Sequence, residues 1–340
     1  MTMRKEVSLG VCFLLLVFLS IPCFAAEKNY RIDVLQVTNI PVFQTCYSSF
    51  FKELAKNGIV QGKNLTIKRT VIDFDIENGG LWKKIGVLMR IKSEASRIAE
   101  DKPDLVLTIG TPATKYAKDK IIAAGIPLVF TSVAIPTAAG CKSLTEAGPG
   151  FTGATLYMNM KDMLKIVKLA FPKTHTFGII YSDDDNAVAQ VEEAKKTGSS
   201  MGITFVTKQV GKSDPITPVA KELVAQGAQA FIVPLDTYYA LRNNEPSLEL
   251  YAYRKTVKIP AISFVLYKVP GAAFYVGSDF GYVGMLSGQQ AVKILKDGAN
   301  PDSLPILRQE DLNILVDEKS LKEIGVTLPM DILKIAKPVD

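Results

Sequence analysis

The chain has 340 residues, of which 48% are hydrophobic and 22% charged, and its formal net charge is +6. This length and apolar content allow a sizeable core and suit two domains better than one. The charges are interspersed along the chain, whereas a nucleic-acid partner needs a clustered basic patch with aromatic platforms, so nucleic-acid binding is not expected.

Residues 1–26 form a separate N-terminal unit. Two basic residues, an apolar run, a proline and two small residues follow one another in the order Arg4, Lys5, Val7–Ile21, Pro22, Ala25 and Ala26. This order is typical of a secretory signal peptide cleaved after Ala25 or Ala26, which predicts a periplasmic protein. The first alternative is an uncleaved anchor, but the apolar run is short for a membrane span. The second is lipidation at Cys23, which the preceding proline disfavours.

From Tyr30 onward, short β-branched runs alternate with stretches of helical apolar spacing. The predicted strands of the first half are Arg31–Val37, Leu65–Asp73, Asp104–Ile109 and Pro127–Thr131. The predicted helices between them are Gln44–Asn57, Leu81–Glu100 and one from Thr111 to about Ala124. This alternation predicts a parallel sheet with helices on both faces.

Residues 134–150 interrupt this pattern with prolines and glycines and are interpreted as a linker, followed by Phe151–Leu156 as a crossing strand. The second half then repeats the plan. Its predicted strands are Thr176–Ser182, Ile203–Val210, Gln229–Pro234 and Pro260–Phe264, and its predicted helices are Asn159–Phe171, Asp185–Ser200, Pro215–Gln226 and Thr237–Val257. After them come strand Phe274–Asp279, helix Gly281–Lys296 and strand Asn313–Val316.

Two similar halves predict an α/β fold of two doubly wound parallel-sheet lobes, joined by a hinge, that close on a ligand. We expect an N-terminal lobe of residues 27–152 plus about 278–308. The C-terminal lobe then consists of residues 153–277 plus about 309–340. The tail can cross between the lobes more than once, so each lobe is expected to be discontinuous in sequence.

Several segments resemble the substrate-binding proteins of ABC importers, specifically the exported family associated with tryptophan, tyrosine and related ligands. In chain order they are GIVQGKNLTI, DKPDLVLTIGTPAT, IPLVFTSV, FTGATLYMN, FGIIYSDDDNAVAQVEE, VPLDT, SDFGYVGMLSGQQAVKILKDG and LVDEKSLKEIGVTLP. The resemblance covers nearly all of the mature chain. It implies a type I periplasmic-binding-protein fold, a small-molecule ligand between the lobes, and an ABC permease in the inner membrane as partner. The chain departs from the family pattern at Thr38–Val42, Ser182–Asp185 and Phe264–Ala273.

In such a fold the ligand lies between the lobes, where strand ends and helix N-termini meet. Thr111 is the first candidate, because a helix starting there offers free N–H groups to a carboxylate. Its alternative role is ordinary N-capping. The other candidates of the first lobe follow neighbouring predicted strands: Thr38, Asn39, Ser132 and Val133.

Asp236 is the main candidate of the second lobe, because a ligand ammonium group would give a buried carboxylate the partner it needs. Its alternative role is to cap the helix that begins at Thr237. The other polar candidates of this lobe are Asp184, Asn186, Thr237 and Asp279. A run of acids such as Asp183–Asp185 is more often a solvated turn. Four aromatic residues near strand ends could enclose an apolar ligand, although most aromatic residues are core: Tyr238, Tyr239, Phe264 and Tyr267.

Other classes of function are less favoured. The sequence lacks the nucleophile elbow, the P-loop, the dinucleotide-binding glycine pattern and a metal-ligand cluster, so neither an enzyme nor a cofactor or metal site is expected. A sensor or receptor module on the same fold is the main alternative. Cys46 and Cys141 remain after cleavage of the leader, and they are either a disulfide or two buried thiols. The mature protein is expected to be a monomer.

Overall fold

The computed structural model describes residues 28–73, 81–266, 268 and 271–339. The predicted signal peptide and Tyr267 lie outside the described residues. Within the described part of the chain, no helix has both the length and the apolar character that crossing a membrane would require.

Thirteen strands are present in the described residues. They are β1 (Tyr30–Val37), β2 (Leu65–Ile72), β3 (Leu105–Ile109), β4 (Leu128–Val133), β5 (Phe151–Thr155), β6 (Thr176–Tyr181), β7 (Thr204–Gln209), β8 (Ala230–Val233), β9 (Ala261–Ser263), β10 (Phe274–Gly277), β11 (Leu307–Arg308), β12 (Asn313–Val316) and β13 (Lys337–Pro338). They form one sheet of order β11-β5-β4-β3-β1-β2 and a second of order β13-β12-β10-β9-β8-β6-β7. Every neighbouring pair is parallel except β10 and β12.

The α-helices lie between these strands in the chain. They are α1 (Pro41–Lys56), α2 (Leu81–Asp101), α3 (Thr111–Ala123), α4 (Met160–Ala170), α5 (Asp185–Ser199), α6 (Ile216–Ala225), α7 (Glu245–Val257), α8 (Phe280–Leu295), α9 (Glu318–Glu323) and α10 (Met330–Ile335). In the first lobe, α1 and α8 pack on one face of the sheet and α2 and α3 on the other. In the second, α4 and α5 cover one face and α6 and α7 the other. The predicted fold class, two doubly wound α/β lobes, is confirmed.

Buried strands with apolar side chains on both faces explain this layering. Leu105, Leu107 and Ile109 of β3 point to the α1 and α8 side, whereas Val106 packs on the α2 and α3 side. Because successive side chains of a strand alternate between the two faces, one apolar run supplies two cores. Each lobe therefore has its sheet in the middle and a layer of helices on both faces.

Three chain segments pass between the two sheets and touch one another. They follow β5, β10 and β11, and they contain Leu156, Ser278 and Gln309 respectively. The Ser278 hydroxyl donates to the Leu156 carbonyl at 3.0 Å, and the Asp279 amide donates to Gln309 Oε1 at 3.0 Å. These hydrogen bonds join the crossing segments into a hinge.

The structure corrects two of the predicted elements. Phe151–Thr155 is not a crossing strand, because it pairs with β4 and β11 inside the first sheet and the chain crosses only after it. The predicted helix Thr237–Val257 is divided into 3-10 turns at Thr237–Ala240 and Arg242–Asn244, followed by α7. Residues 242–244 all have positive φ angles, between 48° and 66°. Left-handed residues end a right-handed helix, so α7 begins only after Asn244.

Candidate functional site

The two lobes face each other across a cleft at the carboxyl ends of their strands. A first cavity lies in this cleft, and most of its wall is apolar. The first lobe contributes Ile40, Val42, Phe43, Ser132, Ala134 and Phe280. The second lobe contributes Asp184, Asn186, Val233, Pro234, Leu235, Asp236, Thr237, Tyr239, Ala240, Asn244 and Val265, and Leu156 of the hinge completes the wall.

A second cavity adjoins the first, because Phe43, Asp184, Asn186 and Thr237 line both. It lies between α2, α3 and the turn that precedes α5. Apart from the shared residues, its charged and polar lining residues are Thr38, Lys84, Thr111, Tyr116, Asp183, Asp185 and Lys212. Lysines are thus present around the second cavity, whereas no lysine, arginine or histidine is among the described residues that line the first.

Thr111 reaches across the cleft. Its hydroxyl donates to Asn186 Oδ1 at 2.6 Å, so it joins the two lobes directly. The N-capping role considered for it is wrong, because Gly110 occupies the N-cap position of α3 and no side chain caps this helix. The φ angle of 90° at Gly110 is one that a residue without a side chain adopts readily. Because the Thr111 side chain does not cap the helix, it lies in the wall of the second cavity.

Asp236 is a buried carboxylate in the wall of the first cavity. It accepts hydrogen bonds from the Ser182 amide at 2.5 Å, the Ser182 hydroxyl at 2.8 Å and the Tyr238 amide at 2.9 Å. It therefore caps the 3-10 turn that starts at Thr237, the alternative role considered for it. Burial raises the pKa of Asp236 to about 6, and the charge of Asp184 adds to this effect against the hydrogen bonds.

Asp184 and Thr237 form a second polar pair in the same wall. The Thr237 hydroxyl donates to Asp184 Oδ2 at 2.9 Å, and the Asn186 amide donates to Asp184 Oδ1 at 3.0 Å as the cap of α5. Two carboxylates, Asp184 and Asp236, thus border one mostly apolar cavity. A carboxylate in such a setting is stabilised when a cation binds beside it.

Ser132 also lines the first cavity, at the end of β4. Its φ angle is 57°, and Thr38, at the end of β1, has a φ angle of 71°. Positive φ is uncommon for residues other than glycine and costs on the order of 1 kcal/mol, and such residues cluster at binding sites. The Ser132 hydroxyl donates to the sulfur of Cys46 at 2.8 Å.

Other predicted ligand residues lie away from both cavities. Val133 and Tyr238 belong to hydrophobic cores, and the Tyr238 hydroxyl is bound to the Asp214 carbonyl. Phe264 packs in the core of the second lobe. Asp279 caps α8 through the Tyr282 amide. Asn39 is exposed and lines neither cavity. Tyr239, by contrast, lines the first cavity, and its hydroxyl donates to the Ile180 carbonyl.

The apolar residues of the wall were not predicted from the sequence. Val42 and Phe43 come from the first turn of α1, Phe280 opens α8, and Leu235 and Val265 follow β8 and β9. Phe43 and Phe280 share with Thr111 a place in the first turn of a helix that follows a strand. Their apolar character instead made them look like ordinary core residues.

The cysteines are not bonded. Cys46 and Cys141 are free and buried. They belong to cores on opposite faces of the first sheet, so the sheet separates them and excludes the possible disulfide. Within the described residues, no group of histidine, cysteine and acidic side chains could hold a metal ion.

The chain is similar to proteins that bind small molecules. A curated tyrosine-binding protein of Clostridioides difficile is 26% identical over 316 residues, which cover 92% of this chain and 86% of the relative. A ligand-free, open substrate-binding protein with adhesive properties from Clostridium difficile is 27% identical, with a TM-score of 0.68 over 92% of this chain and 99% of that one.

Solved structures of lower identity share the fold. An ABC domain in complex with L-Trp from Streptococcus pneumonia is 23% identical, with a TM-score of 0.77 over 92% of this chain and all of that one. The sequence profile described as ABC transporter substrate binding protein matches residues 31–340 of this chain. The chain therefore belongs to the ABC transporter substrate-binding protein family.

Proposed function

We propose that the mature chain is the solute-binding component of an ABC importer and captures an amino acid with an apolar, preferably aromatic, side chain between its lobes. The observation that carries this proposal is the pair of carboxylates, Asp184 and Asp236, in the wall of a mostly apolar cavity between the lobes. An ammonium group beside these carboxylates and an apolar side chain against Phe43 and Phe280 would use both features of the wall.

The ligand carboxylate has a separate place in this proposal. The second cavity shares Asn186 and Thr237 with the first, and it contains Lys84 and the N-terminus of α3 at Thr111. An ammonium group and helix N-terminal N–H groups are donors that a carboxylate needs. The Thr111 hydroxyl is not one of them, because it donates its proton to Asn186. A bound zwitterion would thus span the boundary between the cavities, with its ammonium group in the first and its carboxylate facing the second.

Two of the similar proteins described above support this class through the ligands in their names. One is a tyrosine-binding protein and the other is in complex with L-Trp. We further propose a periplasmic location after cleavage of residues 1–26, an inner-membrane ABC permease as partner, a monomeric state, and lobes divided near residues 156, 278 and 309. A sensor or receptor module and an enzyme are the alternatives, and the family favours neither.

A binding panel tests the proposal. The chain from residue 27 onward is titrated by calorimetry and thermal shift with the amino acids, sugars, nucleosides and aromatic acids. A ligand at about 100 times its Kd should raise the free energy of unfolding by about 2.7 kcal/mol. Failure of all amino acids to bind would contradict the proposal, and chemical conversion of a bound ligand would indicate an enzyme. Uptake of the ligand by cells that lack the chain separates importer from sensor.

Asp236→Asn identifies the site within this panel. The amide keeps a capping oxygen but loses the charge, so an amine-bearing ligand should bind at least about tenfold more weakly. Asp317→Asn is the matched control, because Asp317 likewise caps a helix, α9, and accepts the Ser320 hydroxyl at 2.7 Å. It does not line the cleft, so its substitution should leave affinity unchanged. If both variants bind the ligand as tightly as the wild-type chain, the role of Asp236 is purely structural.

A further inference from the structure

The Cys46 thiol donates a hydrogen bond to a backbone carbonyl. Cys46 Sγ lies 3.0 Å from the Phe280 carbonyl oxygen and 2.8 Å from Ser132 Oγ. A carbonyl has no proton to donate, so only the thiol proton can bridge sulfur and oxygen. Burial raises the pKa of Cys46 to about 12 in spite of the hydrogen bond from Ser132, so the sulfur is protonated at neutral pH.

The direction of the second hydrogen bond follows from the first. Because the thiol donates its proton in the hydrogen bond to the Phe280 carbonyl, the sulfur accepts the hydrogen bond that joins it to Ser132. The Ser132 hydroxyl is therefore the donor. Ser132 is 2% exposed and lines the first cavity. Its single proton is directed to Cys46, and only the oxygen lone pairs are left for a ligand.

The other hydroxyl groups of the cavity wall are arranged in the same way. Thr237 donates its proton to the Asp184 carboxylate, and Tyr239 donates its proton to the Ile180 carbonyl. Together with Asp184 and Asp236, these groups offer a ligand oxygen lone pairs and negative charge. Among the described residues of this wall, side-chain N–H groups come only from Asn186 and Asn244.

We propose that Cys46 is a positioning residue for ligand recognition. Its sulfur accepts the hydrogen bond of the Ser132 hydroxyl and thereby makes the first cavity a site for the ammonium end of the ligand. This inference rests on the proposed function and deepens it. The hydrogen-bond donors near the second cavity include partly exposed lysines, whose contacts with a carboxylate are screened by water. The amine is therefore the group that determines affinity, and the carboxylate is the less important one.

Three kinds of probe separate the two ends of the ligand. Tyrosine and tryptophan carry both charged groups, tyramine and tryptamine carry the amine alone, and 3-(4-hydroxyphenyl)propionate and indole-3-propionate carry the carboxylate alone. Calorimetry with the wild-type chain should give tighter binding of the amines than of the acids, by about tenfold or more. The opposite order would overturn the inference.

Two variants test the role of the thiol. Cys46→Ala leaves the Ser132 proton without its acceptor, so Ser132 can donate to a ligand and the ratio of amine to acid affinity should fall about tenfold. Cys46→Ser replaces the thiol by a hydroxyl that can still accept from Ser132 and donate to Phe280, so it should restore the wild-type ratio. The ratio is the readout because lost packing alone would weaken both classes of probe together.

The outcomes distinguish this inference from the proposed function. If the wild-type chain binds none of the six probes, the aromatic preference of the proposed function is wrong and the inference fails with it. If it binds the zwitterions but Cys46→Ala keeps the wild-type ratio, only the inference is overturned. If Cys46→Ala does not fold, Ser132→Ala tests the inference instead. Removal of the acceptor oxygen should weaken the binding of the amine probes and leave the binding of the acid probes unchanged. Equal weakening of both would contradict the inference.

Discussion

Thr111 and Asn186 join the two lobes through a hydrogen bond of 2.6 Å between Oγ1 and Oδ1. Ion pairs cross the cleft on either side of it, from Lys84 to Asp183 and from Lys115 to Asp185, the latter at 2.9 Å. All three contacts end on residues 183–186, the segment that leads into α5 and forms its start. The sequence suggested a solvated acidic turn here. In the structure, this segment of the second lobe makes the hydrogen bond and the ion pairs to the first lobe.

Removal of the Thr111 hydroxyl should open the cleft. Thr111→Val keeps the shape of the side chain but leaves Asn186 without its partner, so the free energy of unfolding should fall by about 1 kcal/mol. Small-angle X-ray scattering of the ligand-free chain should show a larger radius of gyration. Thr256→Val is the control, because the Thr256 hydroxyl bonds only to a carbonyl of its own helix, at Ala252. An unchanged radius for Thr111→Val would show that the hydrogen bond does not hold the lobes together.

The ion pair between Lys115 and Asp185 should slow ligand release. The hydrogen bond that Lys115 donates to Asp185 raises the pKa of Lys115, so the lysine is charged throughout the physiological range. Both side chains are partly exposed, which limits the contribution to a fraction of a kcal/mol. Lys115→Gln should therefore speed ligand dissociation about two- to fivefold in stopped-flow experiments at low salt, and less at high salt.

A matched lysine provides the control for that experiment. Lys165 pairs with Asp162 at 2.9 Å within α4, so the pair does not bridge the lobes. Lys165→Gln should leave the dissociation rate unchanged at every salt concentration. Equal rates for the two variants would show that bridging the cleft has no role in retention.

Asp236 should make stability and affinity depend on pH in opposite directions. Its pKa is raised to about 6 in the folded protein, against about 3.9 in an unfolded chain. The folded state therefore binds more protons between these values, and the stability this group contributes is complete below about pH 4 and lost as the pH rises through about 6. A ligand ammonium group favours the ionised form, so affinity should increase with pH up to about 6, by at most about tenfold per pH unit.

Calorimetry and chemical denaturation between pH 4 and 8 measure both trends. Asp236→Asn should flatten both profiles in this range because the titrating group is gone. Asp317→Asn should keep the wild-type profiles. A ligand affinity that falls as the pH rises towards 6 would show that the ligand does not place a cation beside Asp236.

The close approach of α1 and α8 depends on Gly284. A side-chain carbon at this position would lie 2.8 Å from the Cα atom of Cys46, closer than real atoms pack. Gly284→Ala should therefore lower the free energy of unfolding by about 1–3 kcal/mol in urea denaturation. Gly86→Ala in α2 is the matched control. Nothing lies within 4 Å of its added carbon, so it should stabilise the helix by up to about 1 kcal/mol. Equal stabilities of the two variants would show that the helices can move apart at little cost.

Much of the fold could be predicted because its determinants are local. The apolar runs at Leu105–Ile109 and Leu128–Val133 are strands in the structure, because a run with apolar side chains on both faces is stable only inside a covered sheet. The prediction of one helix from Thr237 to Val257 was wrong, also for a local reason. Its apolar spacing suggested one helix, but three consecutive left-handed residues interrupt it.

The candidate site was predicted in part. The polar residues at strand ends, Asp184, Asn186 and Asp236, do line the cleft, because the carboxyl ends of parallel strands meet at one edge of the sheet. The apolar half of the wall was missed. Whether Phe43 or Phe280 faces a core or a cavity depends on what the other lobe places opposite it, and this is not encoded in the spacing around either residue.

The sequence by itself determined the alternation of strands and helices, the repeat of that plan in two lobes, and the set of polar residues at the strand ends. These follow from periodicity and chain order, which act over a few residues. Only the tertiary structure decided which donors meet which acceptors. The bond between Thr111 and Asn186 joins residues 75 positions apart, and that between Cys46 and Phe280 joins residues 234 apart. A hydrogen bond needs its atoms within about 3 Å and well aligned, and over such separations only the packing of helices and lobes sets that geometry.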